Sequence, residues 1–125
     1  MSKPSDEIRT LRKIVLVFDI CSSTAILEDL LRTENQREWR NLLIRLKKFL
    51  VTRSGELSFE IYKFLGDGWI LLFNDTVSGT DLIKLLQDTC VEYHRLFHQG
   101  VCRVLEGDHT IGMTFGVDAG VKGRA

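Results

Sequence analysis

The sequence predicts an α+β fold of the ferredoxin-like, split βαβ kind: an antiparallel sheet with helices on one face. Three observations carry that expectation. Strand-sized apolar runs stand at "KIVLVFDI" (13–20) and "WILLF" (69–73). Longer segments with apolar residues three and four positions apart lie between and after them. The chain has 125 residues, enough for one domain (1–125) with a real core and too few for two.

The elements follow in chain order. "KIVLVFDI" is β-branched and continuously apolar, which reads as a strand buried on both faces. "SSTAILEDLLRT" then offers Ser22, Ser23 or Thr24 as a helix N-cap. Over 35–52, Trp39, Leu42, Leu43, Leu46, Phe49 and Leu50 recur at helical spacing, with Gly55 as the stop. "LSFEIYKFL" and "WILLF" are the arms of a hairpin whose tip is Gly66-Asp67-Gly68. A further amphipathic helix covers about 80–99 through Leu82, Leu85, Leu86, Tyr93 and Leu96, and Gly100 closes it. "HTIGMTFGVDAG" alternates Ile111, Met113, Phe115 and Val117, the pattern of a fourth strand.

In a split βαβ sheet the third strand lies between the first and second, antiparallel to both. Asp19 closes the first strand and Asp67 immediately precedes the third. The topology therefore sets the two carboxylates side by side. Asp67 alone would be ordinary turn chemistry; its pairing with Asp19 is what calls for a function.

Composition narrows the classes. Lys+Arg and Asp+Glu both number 17, a formal charge of zero that argues against a general polyanion binder. An RNA-recognition domain shares this strand order, but its central strands display aromatics for base stacking, whereas "IVLVF" and "WILLF" are mostly aliphatic. No nucleic-acid partner is expected. No apolar run approaches the length of a bilayer span, and "MSKPSDEIRT" (1–10) has no apolar signal core. Cys21, Cys90 and Cys102, odd in number and irregularly spaced, read as reduced thiols of a cytoplasmic protein. His94 and His98 stand four apart on one helix with no evident third metal ligand.

Two adjacent carboxylates repel, and a divalent cation relieves that repulsion. Mg²⁺ favours one or two carboxylates together with phosphate oxygens and water. A pair of such ions clamps both oxygens of an in-line displacement at phosphorus. "ICSST" follows Asp19 with small residues and a helix N-terminus suited to phosphate. These groups together suggest nucleotidyl transfer.

"FDICSSTA" followed by "YKFLGDGWILLF" resembles the catalytic domain of class III (adenylate/guanylate-type) nucleotidyl cyclases, and "IGMTFGVDAG" is similar to that family's next strand. The resemblance implies a cyclase-type version of the fold. It also implies conversion of a nucleoside triphosphate to a 3′,5′-cyclic nucleotide and pyrophosphate, for signalling. Asp19 and Asp67 would hold two Mg²⁺ or Mn²⁺ with the backbone carbonyl of Ile20. Backbone amides of Cys21, Ser22, Ser23 and Thr24 would cradle the triphosphate. Lys63 would read the base and favours ATP. A homodimer with shared active sites follows. The family commonly has glycine where Ser22 stands, and its remaining base-reading and transition-state groups lie after the fourth strand. The chain 1–125 is therefore expected to lack a C-terminal segment, Arg124 standing too early to be the family's arginine. Two alternatives stay open: a bacterial pyrimidine cyclase making cyclic CMP or UMP in antiviral defence, and an inactive module that dimerises or senses nucleotide. A diguanylate cyclase would carry a Gly-Gly-Asp/Glu-Glu-Phe signature, which "LGDGW" lacks.

Overall fold

Alternation along the first strand sets the layers. In β1 (Leu11–Ile20), Leu16, Phe18 and Ile20 are 1–3% exposed, while Val15 and Val17, which alternate with them, are only half-buried. The strand is thus sealed on one face, not on both. Its continuous apolar run arises because the second face is apolar without being sealed by the described residues. The chain is seen here as a computed structural model that describes residues 11–122; the 1–10 stretch and Arg124 lie outside the described residues.

After β1 come α1 (Ser23–Arg32), α2 (Gln36–Leu57), β2 (Phe59–Phe64), β3 (Gly68–Asn74), α3 (Gly79–Gln99), a short 3₁₀ turn (Val101–Val104) and β4 (Met113–Lys122). The sheet order is β2-β3-β1-β4, with every neighbouring pair antiparallel. This is the strand arrangement that the sequence predicts. The covered face gathers Leu16, Phe18, Ile20, Trp69, Leu71 and Phe73 against Ile26 and Leu30 of α1, Leu42, Leu46 and Leu50 of α2, and Leu85, Tyr93 and Phe97 of α3. Burying side chains of this size stabilises by about 1.5–3 kcal/mol each. Arg53 of α2 pairs with Asp88 of α3 at 2.6 Å and holds the two helices together.

Helix ends depart from expectation at two places. Gly55 does not stop α2, which continues to Leu57 and ends on Ser58 in a left-handed conformation (φ 57°). A glycine inside a helix costs about 1 kcal/mol, which the packing of Leu57 against the core offsets. None of Ser22, Ser23 and Thr24 caps α1 through its side chain: Ser22 holds the N-cap position with no side-chain cap bond, and the other two lie inside the helix. By contrast Ser78 caps α3, its hydroxyl accepting the Asp81 amide at 3.0 Å.

The fourth strand starts at Met113, so Ile111 packs on the core from the preceding loop. Phe115 sits over Phe18 with ring centroids 5.7 Å apart. Val117, further along this edge strand, is 52% exposed although it pairs with buried Leu16. No helix among the described residues is long and apolar enough to cross a membrane.

Candidate active site

The β1–β3 ladder brings the two aspartates together. Asp19 pairs with Gly68, and the Ile20 amide donates to the Asp67 carbonyl at 2.8 Å. Gly68 is what lets the strands close. A Cβ there would stand 1.8 Å from the Phe18 carbonyl oxygen and 2.9 Å from Asp19 Oδ1. The Asp19 carboxylate therefore lies over a bare glycine beside the hairpin tip. Gly66 (φ 96°) makes the tip turn, and the Leu65 amide closes it on the Gly68 carbonyl at 2.8 Å.

Asp19 is exposed and Asp67 half-buried. Among the described residues neither meets a cationic side chain, and no group of three or more His, Cys, Asp or Glu gathers anywhere. Two adjacent carboxylates without a counter-charge are a hard-oxygen donor set, and they fit an oxygen-loving divalent cation with water or phosphate completing it. His94 and His98 offer no rival: their rings stand 6.4 Å apart on α3, and no third ligand joins them among the described residues.

The turn after Asp19 is shaped for an anion. Ser22 takes φ 58° and ψ 25°, a left-handed conformation that glycine adopts without strain. The first intrahelical bond runs from the Ile26 amide to the Ser22 carbonyl. The amides of Ser23, Thr24 and Ala25 therefore have no backbone acceptor among the described residues, the usual state of an uncapped helix start. The Cys21 amide is different, because it donates to the Gly112 carbonyl at 2.9 Å. It fastens the turn to the loop before β4 and is not free for a ligand.

Lys63 reaches the same face as Asp19 through a β-bulge. Phe59, Ile61 and Lys63 share parity, so a regular strand would turn all three toward the helices. Pairing instead slips between Ile61 and Lys63, setting Ile61 opposite Leu71 and Lys63 opposite Ile70. The extra residue, Tyr62, moves Lys63 to the open face. There it lies in a row with Ile70, Val17 and Gly116. Phe64 falls on the covered side, its ring 4.9 Å from that of Trp69. At strand spacing, Lys63 is two strands and two residues from Asp19, about 12 Å.

Two groups escape the sequence reading. The Ser23 hydroxyl donates to Asp67 Oδ2 at 2.9 Å across 44 positions of chain. Asp29 is fully buried and accepts the amides of Glu106 (3.1 Å) and Gly107 (2.9 Å), with His109 Nε2 at 2.7 Å and Arg32 at 3.9 Å. The His109 bond, then the Gly107 and Glu106 amides, hold its carboxyl down at about 2, against the desolvation that would raise it. The clamp fixes the loop leading to Gly112, whose carbonyl anchors the turn at Cys21. A signal for it existed: Asp29 stands on the apolar stripe of α1, three after Ile26 and beside Leu30.

The fold is similar to that of solved adenylyl and guanylyl cyclase structures. Two solved structures of a bacterial light-regulated adenylyl cyclase match with TM-scores of 0.69 and 0.68 at 21% identity, over 92% of this chain and 32% of theirs. The guanylyl cyclase Cya2 matches with a TM-score of 0.68 at 18% identity, over 92% of this chain and 57% of its own. The chain thus spans about a third of the one and somewhat over half of the other. No protein-family model and no curated protein matches the sequence. Identities this low concern the fold.

Proposed function

We propose that the chain is the catalytic module of a nucleotidyl cyclase, converting a nucleoside triphosphate to its 3′,5′-cyclic nucleotide and pyrophosphate. One observation carries the reading: β1–β3 pairing puts Asp19 and Asp67 together, without a counter-cation, directly ahead of an uncapped helix start. Asp19 and Asp67, with the Ile20 carbonyl, would hold two Mg²⁺ or Mn²⁺. Such ions, when bound, activate the attacking hydroxyl and steady the leaving pyrophosphate. The amides of Ser23 and Thr24 bind the phosphates, and Ala25 adds a third donor beside them. Lys63 presents a cation on the same face for a base edge, which favours ATP.

The open side of the sheet supports a homodimer with shared sites. Val15, Val17 and Ile70 lie half-buried there beside Leu72, an apolar strip bordered by Lys13, Lys63, Glu60 and Asp118. A second copy facing it would bury the strip and bring a second Lys63 toward the carboxylates.

The test is incubation with ATP, GTP, CTP or UTP and Mn²⁺, with the product identified by mass. Cyclic AMP is the expected product. Cyclic CMP or UMP would move the assignment to the pyrimidine-specific alternative. Metal-dependent nucleotide binding without any cyclic product would make the chain a sensing or dimerising module.

A further inference from the structure

The backbone at Asp67 is held by the Ile20 amide, but its side chain is steadied by a single hydroxyl. Asp67 stands between two glycines at a hairpin tip, and its side chain makes no ion pair among the described residues. Left alone, such a carboxylate samples several rotamers, and ordering it on a cation costs that freedom. Its one hydrogen-bonded side-chain partner among the described residues is Ser23, whose hydroxyl donates to Oδ2 at 2.9 Å in a half-buried setting. Ser23 is free to do this because it is the first residue of α1 and does not cap it. The bond uses one oxygen, and among the described residues no hydrogen bond engages Oδ1.

We infer that the Ser23 side chain is a positioning group for a divalent cation, holding Asp67 in its ligating orientation before the ion arrives. The inference rests on the cyclase reading for the identity of the ion's site, and it assigns to Ser23 a role distinct from that of its backbone amide. The same residue would then join the two halves of the site: its amide faces the phosphates and its hydroxyl orients the metal carboxylate. Asp19, whose side chain makes no hydrogen bond or ion pair among the described residues, has no equivalent latch. The two carboxylates should therefore differ in what supports them, although they are alike in charge. Groups that orient a metal ligand through a hydrogen bond typically contribute about 10–100-fold to metal affinity.

The experiment is a titration of the protein with Mn²⁺ alone, followed by the electron paramagnetic resonance of the free ion, so that no turnover is needed. Ser23→Ala is expected to bind Mn²⁺ about 10–100-fold more weakly than the parent, while Ser23→Thr, which keeps the hydroxyl, stays within about threefold. Ser23→Val is compared with Ser23→Thr as a nearly isosteric pair differing in the hydroxyl, which covers the case in which alanine harms the fold. Circular dichroism melting is recorded for each. Affinity equal in Ser23→Ala, Ser23→Val and the parent, with Asp67→Ala binding lost, would overturn the latch and leave the metal site standing. Absence of Mn²⁺ binding by the parent, with and without ATP, would overturn the latch together with the reading beneath it. Hydroxyl-dependent Mn²⁺ binding with no cyclic product from any of the four nucleotides would keep the latch and remove the cyclase assignment.

Discussion

At the scale of single residues, the site contains groups whose removal should separate chemistry from folding. Losing a group that merely orients a metal ligand already costs about 10–100-fold. Asp19→Ala and Asp67→Ala should each lower turnover beyond that range with an unchanged circular dichroism spectrum, because relieving carboxylate repulsion does not weaken the empty fold. Substantial residual cyclisation by both would count against the metal assignment. Lys63→Ala and Lys63→Glu should change which nucleotide is preferred more than the rate with the best one, since a mismatched base leaves a polar group unpaired. Unchanged ranking of the four nucleotides would make Lys63 a surface charge. Asp29 makes a prediction in pH. Its carboxyl is held at about 2 against an ordinary 3.8, so its contribution to stability is complete above the ordinary value and disappears as pH falls toward 2. Urea midpoints of the parent should therefore drop more steeply between about pH 5 and 2 than those of Asp29→Asn, which starts less stable at neutral pH. Parallel slopes would refute the clamp. The adjacency of Asp19 and Asp67 was legible in the sequence because strand order alone makes them neighbours. The partners of Asp29 lie 77 to 80 positions away in a loop, so neither its neighbours nor its protonation could be read from local spacing.

Elements add constraints that no single side chain expresses. The closest approach of β1 and β3 runs through Gly68, where a Cβ would meet the Phe18 carbonyl oxygen at 1.8 Å, and backbone cannot move aside as a side chain can. Gly68→Ala is therefore expected to destabilise by about 1–3 kcal/mol or more in chemical unfolding. It should also weaken Mn²⁺ binding by prying Asp67 from Asp19. A variant as stable as the parent would mean that the ladder is looser than its register implies. Existence and order of the strands and helices were readable from apolar periodicity, because each long segment keeps one period. Boundaries were not. Gly55 looks like a terminator, yet α2 runs past it because Leu57 still has a core to meet, and the stop passes to Ser58. Slippage at Tyr62 left no mark in composition either, since nothing in "FEIYKF" distinguishes a regular strand from a bulged one.

At the scale of the whole molecule, the described residues form a two-faced sheet with helices on one side only. Continuity of the apolar runs suggested burial on both faces, and the second face is apolar but open, which is how an association surface resembles a core in sequence. Val17 lies near its centre, between Ile70 and Gly116. For the proposed homodimer, Val17→Glu should raise the dissociation constant at least about tenfold by sedimentation velocity, with the monomer still folded. A dimer as tight as the parent's would place the interface elsewhere.

The bulge in β2 has a consequence for what the strand can lose. Facing direction in a strand is a matter of odd and even, and Tyr62 is one residue in excess of the regular count. Removing one residue between Phe59 and Lys63 would use up that excess: pairing would become regular, with Lys63 still opposite Ile70 on the open face and Phe64 still opposite Trp69. A single codon lost there would therefore leave the cation's address unchanged, whereas one gained would need a second slip to keep it. Asp19 and Asp67, on β1 and beyond the slip, would hold their register either way.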